Sequence, residues 1–301
     1  MDRDLIAQIL ELKKQKNAII LAHNYMRPEI FEVADAVGDS FELSKAAQEM
    51  ECDIIVFAGV HFMAESAKLL NPSKKVLIPS LAAGCFMADT ITAEGLKRLK
   101  AKYPHAPVVV YMNTSAEVKA LSTSTCTSSN AVKIVDSFAE DTIIFAPDKH
   151  LCEFVQDRTK KTLIPWAGFC HVHTQLSPAM LQRMKEKYPQ GAVLLHPESP
   201  KRLFSLADHI CGTGGMSKYI AEHPEIHTFL IGTEEGMVGR LKRDFPDREF
   251  VALMGTCINM KQITLENIAR SLEHEKYEIT VQENIFDAAQ KSLLEMMERG
   301  I

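Results

Sequence analysis

Three of the seven cysteines recur at one interval. Cys85 closes "VLIPSLAAGC", Cys170 closes "TLIPWAGFC" and Cys257 closes "REFVALMGTC", 85 and then 87 residues apart. A single cysteine in a chain of this kind is more often a small buried hydrophobe than a ligand. Three at matched positions point instead to a shared metal centre. A closed structural zinc site takes four protein ligands, so three thiolates disfavour it unless a histidine completes the set. Iron–sulfur clusters are held by cysteine thiolates, four of them for an electron-transfer [4Fe-4S] centre. With three, one iron keeps an open position and can act as a Lewis acid toward a substrate hydroxyl or carboxylate. Cys126 and Cys211 are also 85 residues apart, but the first repeat has Gly38 at that position, and Cys52 and Cys152 have no counterparts. Those four read as core or loop residues.

A second set could bind anions. Ser40 in "AVGDSFELSKAA", Ser128 in "TCTSSNAVKIV" and Thr213 in "ICGTGGMSKYI" lie 88 and 85 residues apart, each just ahead of a helical pattern. The bland reading is a capped helix. A helix N-terminus also presents free N–H groups and partial positive charge, which suit phosphate or carboxylate. Three aimed at one centre would suit a polyanionic substrate. Proton carriers stand at the ends of three apolar runs: His23, Asn24 and Tyr25 in "HNY", Tyr111 and Asn113 in "YMN", His196 and Glu198 in "HPE". His173 follows Cys170 by three residues and is assigned to the same pocket. Histidine exchanges protons near neutral pH, and a carboxylate beside a metal can act as base. His61, His105, His150, His209, His223 and His227 read as surface or fold residues, with His171 left open between the two.

The elements that must position these residues also come in threes. "LELKKQKNAIILAHN", "LKRLKAKYPHAPVVVYMN" and "LQRMKEKYPQGAVLLHPE" each join a helical pattern to a short β-branched run. "DIIVFAG", "DTIIFAP" and "HTFLIGT" follow at matched spacing. Apolar runs alternating with helices read as βαβ units with parallel sheets, and right-handed crossovers make each repeat a Rossmann-like sandwich. The expected fold class is therefore α/β: three similar three-layer sandwich domains about a pseudo-threefold axis, with the active site at the centre. The domains are placed at 1–86, 87–172 and 173–284, with a C-terminal helix at 285–301 packing on the first. Ligands of open α/β sheets bind beyond the carboxyl ends of the strands. The three cysteines all follow a final strand and are expected to converge there.

The chain has 301 residues, 46% of them hydrophobic and 24% charged, with a net charge of −5. That length suits more than one domain. No basic block supports a nucleic-acid partner. No apolar run is long enough for a membrane span, and the acid-bearing start "MDRDLIAQILELKK" is not a signal peptide. The expectation is a cytoplasmic protein with small-molecule substrates.

The motifs "ILAHNY", "ADAVGDS", "VFAGVHFMAESAKLLNP", "YMNTSAEVKA", "CTSSNAV", "FCHVH", "HPE", "GTGGM" and "CINMKQITLENI", together with the three cysteines, resemble the quinolinate synthase family of NAD biosynthesis over about residues 17–272. The resemblance implies a [4Fe-4S] cluster on Cys85, Cys170 and Cys257 with an open fourth iron. It implies a transferase/lyase-type reaction condensing iminoaspartate with dihydroxyacetone phosphate to quinolinate, phosphate and two waters. It implies that His23, Ser40, Ser128, His196 and Thr213 hold phosphate and carboxylate groups. Tyr25 would take part in proton transfer, Glu198 would act as base in the late dehydration, and Tyr111, Asn113 and His173 would line the pocket. Iminoaspartate would come from an aspartate oxidase or dehydrogenase. Three departures from the family pattern stand out: Ser199 where "HPEC" is common, His61 in place of an acid, and His171 where Pro is common. None falls on a residue given a role. Competing readings are another iron–sulfur hydro-lyase acting on a different polyanion, a non-catalytic cluster sensor, and a nucleotide-binding module. A sensor needs no anion cradles, and "HNYMRPEIF" lacks the G-x-G-x-x-G of a dinucleotide fold.

Overall fold

Short, fully apolar runs separated by helices fold here into three four-stranded sheets, all parallel, in a computed structural model that describes residues 2–300. The first holds β1 (Ala18–His23), β2 (Ala36–Gly38), β3 (Ile54–Ala58) and β4 (Lys75–Leu77) in the order β2-β1-β3-β4. The second holds β5 (Val108–Tyr111), β6 (Ser124–Cys126), β7 (Thr142–Ala146) and β8 (Thr162–Pro165), ordered β6-β5-β7-β8. The third holds β9 (Ala192–Leu195), β10 (His209–Ile210), β11 (Thr228–Gly232) and β12 (Glu249–Ala252), ordered β10-β9-β11-β12. The same order three times is the expected repeat of Rossmann-like sandwiches.

Strand periodicity divides each core into two layers. Val109, Tyr111, Ile143 and Phe145 face one side of the second sheet, among Ile134, Val155 and Leu293. Val108, Val110, Ile144 and Ala146 face the other, against Leu96 and Val118. In the third sheet Val193 and Leu195 meet Leu181, while Leu194 and Ile231 meet Met216 and Leu241. Both faces are covered, which is why the strands read as unbroken apolar runs.

Seven residues beyond each cysteine stands a hydroxyl: Thr92, Ser177 and Thr264. Each caps a helix by accepting an N–H bond, from Gly95, Met180 and Asn267 respectively. A cap of this type stabilises a helix by about 1 kcal/mol. The helices so started, Ala93–Lys102, Pro178–Lys187 and Leu265–His274, cover not their own sheet but the next. Leu96 packs on the second sheet, Leu181 on the third, and Ile268 and Leu272 return to the first. The strip after the last helix then pairs along β4, with N–H of Ile78 to O of Tyr277 at 2.9 Å and N–H of Ile279 to O of Val76 at 2.8 Å. The three repeats form a closed ring. Helix Leu265–His274 therefore belongs structurally to the first sheet, although the sequence boundaries 173–284 put it with the third.

The C-terminal helix also departs from its expected place. Glu283–Arg299 lies mainly along the second repeat, against β6 and the helices Ala116–Lys119 and Ala131–Asp136. It touches the first repeat through helix His61–Leu70. Its apolar stripe, Ala289, Leu293 and Met296, is fully buried in the second core and covers the edge strand β6. A helix sitting over an edge strand hides unpaired backbone and the apolar side chains beneath. Among the described residues no helix is long and apolar enough to cross a membrane.

Truncating Leu293 to Ala should therefore lower unfolding stability by about 2–5 kcal/mol, the usual cost of a buried leucine. Leu294→Ala, half-exposed on the same helix, should change it by about 0.5 kcal/mol or less. Urea unfolding of the two variants checks this.

Candidate active site

Parallel strands send all their carboxyl ends to one side of a sheet, and the ring turns those sides of all three sheets inward. One central cavity results. The first repeat contributes His23, Tyr25, Ser40 and Cys85 to its wall, the second Tyr111, Asn113, Ser128 and Cys170, and the third His173, His196, Glu198, Thr213 and Cys257. Of the residues singled out from the sequence only Asn24 lies off this wall, buried behind it. Cys52, Cys126, Cys152 and Cys211 do not line it.

The three cysteines share a local geometry. Each sulfur receives backbone N–H groups from the residues two and three positions on: Met87 and Ala88 at Cys85, Val172 and His173 at Cys170, Asn259 and Met260 at Cys257. Burial pushes the Cys85 thiol up to about 12 and raises the other two, while these N–H groups pull in the opposite direction. Proximity is legible in the same balance, because Cys257 acts on Cys85 and Cys85 on Cys170. N–H donors directed at a sulfur favour thiolate and are the usual surroundings of a metal-bound one.

Two buried carboxylates set these loops. Asp148 Oδ2 accepts the N–H of Cys170 at 3.2 Å, and Glu234 Oε1 accepts that of Cys257 at 2.9 Å. Asp148 also caps helix Lys149–Gln156. Glu234 also takes the N–H of Gly236 at 2.7 Å and the Lys261 ammonium at 2.9 Å. They follow β7 and β11 at one repeat position, 86 residues apart. The spacing that exposed the cysteines would have exposed them too. Lys261 and Arg240 carry no such signal, since neither recurs.

The anion cradles differ in detail from a row of three caps. Ser40 and Thr213 are the first residues inside helices Ser40–Glu49 and Thr213–Glu222, with Asp39 and Gly212 as the caps. Asp39 accepts from Phe41 and Glu42, and Glu42 returns to the Asp39 N–H at 2.9 Å. Ser128 lies two residues before its cap, Asn130, and the helix that follows has only six residues. The three still meet. A Cβ on Gly212 would lie 2.6 Å from Ser128 Oγ, and one on Gly214 3.0 Å from Glu42 Oε1. With a side chain at either glycine, Ser128 or Glu42 would have to shift from this approach of one repeat to another.

A line of proton-bearing groups crosses the cavity. Tyr25 Oη is 2.6 Å from Thr233 Oγ1, which is 2.8 Å from His173 Nε2. His173 Nδ1 is buried 3.0 Å from Glu198 Oε2, without the alignment of a hydrogen bond and with no other partner. Glu198 Oε1 accepts from the Tyr111 hydroxyl at 2.8 Å. Burial works to raise the Glu198 carboxyl, but His173, His196 and Tyr111 outweigh it and hold it at about 2. Burial, reinforced by Glu198, raises both tyrosines well above the usual phenol value. Glu198 is an anion here, and Tyr25 and Tyr111 keep their protons.

His23 and His196 occupy one repeat position and behave alike. Nδ1 of His23 accepts the N–H of Tyr25 at 3.2 Å, and Nδ1 of His196 accepts that of Glu198 at 3.3 Å. Burial lowers both to about 3. Each is therefore neutral, with its proton on Nε2 as a hydrogen-bond donor.

The family model for quinolinate synthetase A protein matches residues 7–298. The quinolinate synthase of Clostridium acetobutylicum is 49% identical over 302 residues, 100% of either chain. That of Thermodesulfovibrio yellowstonii is 48% identical over 295 residues, 96% of this chain and 97% of the relative. Quinolinate synthase 1 of Methanosarcina acetivorans is 45% identical over 296 residues, 98% of this chain and 97% of the relative.

The lowered His23 value has a consequence for stability. An unfolded chain protonates this histidine near pH 6.5, the folded one only near 3. In between the unfolded form binds more protons, so stability is full above about 6.5 and falls as pH falls. The loss approaches about 1.4 kcal/mol per pH unit between about pH 6 and pH 4. His23→Gln should make the stability profile shallower by that slope, as read from denaturant unfolding at a series of pH values.

Proposed function

This chain belongs to the quinolinate synthetase A protein family, an enzyme family, and from that premise we propose that it makes quinolinate for NAD biosynthesis. The reaction condenses iminoaspartate with dihydroxyacetone phosphate and releases phosphate and two waters. The observation that carries the reading is the trio Cys85, Cys170 and Cys257. All three are unpaired, line one cavity and have two backbone N–H groups at each sulfur. That donor set fits a [4Fe-4S] cluster with three protein ligands, and His173 Nδ1, beside Glu198 but without an aligned hydrogen bond, fits a site that another group completes. When bound, such a cluster supplies a Lewis-acidic iron for a substrate hydroxyl or carboxylate.

The chain's own residues do the rest. Neutral His23 and His196 donate from Nε2 to the carboxylate and phosphate oxygens of the two substrates. Ser40, Ser128 and Thr213 add hydroxyl donors, and the helices that begin at Ser40 and Thr213 add helix-terminal ones. A neutral imidazole donates without the desolvation cost of a buried cation. Glu198, ionised and anchored by Tyr111, takes the proton that each dehydration releases. Tyr25 gives and recovers a proton during condensation and isomerisation, and hydrogen bonds through Thr233 connect it with His173, whose ring lies beside Glu198. Asn113 shapes the second repeat's side of the pocket. Iminoaspartate, a dicarboxylate that hydrolyses in water, would be supplied in the cytoplasm by an aspartate oxidase or dehydrogenase.

The test is anaerobic reconstitution with iron and sulfide, addition of both substrates, and assay for quinolinate. Cys85→Ala, Cys170→Ala and Cys257→Ala should each lose both the cluster absorbance and the product, whereas Cys126→Ala keeps both. Product formed by any of the first three variants would overturn the reading. Glu198→Gln should keep the cluster and lose about 10²–10⁴-fold in turnover.

A further inference from the structure

Two side chains outside the cavity wall control one inside it. Arg240, on helix Gly236–Asp244 of the third repeat, donates from Nη1 to Asn24 Oδ1 at 2.8 Å and to the Val37 carbonyl at 2.9 Å. Asn24, buried just beyond β1, donates from Nδ2 to Thr213 Oγ1 at 3.0 Å. Thr213 lines the cavity; Asn24 and Arg240 do not.

The hydrogen-bond roles in this chain are forced. A guanidinium has only donors, so the Asn24 oxygen must face Arg240 and its NH₂ must face Thr213. The Thr213 oxygen then accepts, and its own hydrogen is left over. Among the described residues no protein acceptor takes that hydrogen. It has only the cavity to serve. Without the arginine the amide could turn over, and its oxygen would claim the threonine hydrogen for itself. Asp244 pairs with the Arg240 Nε and fixes the guanidinium.

The turn that carries Asn24 is held from the same side. Lys261 donates to the Tyr25 carbonyl at 2.6 Å, and a Cβ on Gly236 would meet that carbonyl oxygen at 2.5 Å. The third repeat thus grips the first at the Tyr25 carbonyl, next to Asn24.

We propose that Arg240 is a positioning residue which, through Asn24, makes the Thr213 hydroxyl an obligate donor toward an anionic oxygen of the substrate. The relay favours a carboxylate or phosphate oxygen at this point over a group that can only donate. It rests on the anion-binding role given to Thr213 above and deepens it.

A double-mutant cycle tests this on the cluster-loaded protein, with dihydroxyacetone phosphate and quinolinate as calorimetric probes. Arg240→Met should weaken at least one of them about tenfold, the scale of one hydrogen bond to a charged group. Arg240→Lys, which keeps a cationic donor, should recover most of that loss. In a Thr213→Val background Arg240→Met should cost about twofold or less, because the hydroxyl it governs is gone. A merely structural arginine would give equal losses in the two backgrounds, and that result overturns the inference, as does unchanged affinity for both probes. If Arg240→Met does not fold, Asn24→Asp keeps the arginine contact and turns the hydroxyl hydrogen away from the cavity. It must then show the loss, and wild-type affinity there is fatal. Wild-type protein that binds neither probe sinks the proposed function and this relay with it; binding without an Arg240 effect sinks the relay alone.

Discussion

The site depends on a ring that closes. Each sheet directs the carboxyl ends of its strands toward the centre, but three sheets in a row would leave that centre open on one side. The helix that follows each cysteine prevents this by packing on the next sheet, and the third of them, Leu265–His274, returns to the first. The cysteine loops are therefore the joints of the ring. A sulfur placed at such a joint is held by two cores at once, and three equivalent joints place three sulfurs around one space.

Burial then decides what the side chains in that space can do. With little water to share the charge, every ionisable group takes the state its neighbours can support. His23 and His196 have a backbone N–H at one nitrogen, and their burial outweighs the pull of Glu198, so they stay neutral. Glu198, with His173 on one oxygen and Tyr111 on the other, stays ionised. Donors for anions and a base for protons coexist a few ångströms apart because their partners differ.

The threefold pattern is broken where the chemistry needs unlike groups. One strand-end position carries His23, Tyr111 and His196. The position after the next strand carries Val60, Asp148 and Glu234, so two cysteine loops are braced by carboxylates and the first is not. A symmetric frame serves an unsymmetric substrate by varying single residues at equivalent strand ends.

Much of this was legible in one dimension. The repeat fixes the spacing of Cys85, Cys170 and Cys257, and the β-branched runs and hydroxyl caps fix strands and helices. Local chemistry suffices there, because a strand buried on both faces needs an apolar run and a helix start needs an acceptor. Asp148 and Glu234 were within reach of the same spacing. Two things were not: which sheet each helix covers, and which residues of one repeat grip another. The C-terminal helix was expected on the first repeat and lies mainly on the second, because an apolar stripe does not say which core it covers. Arg240, Asn24 and Thr213 are separated by up to 216 residues, and Lys261 meets Tyr25 across a similar gap. Nothing in a sequence pattern specifies such pairings, because they depend on how three cores close around a common axis, and only the tertiary structure fixes that.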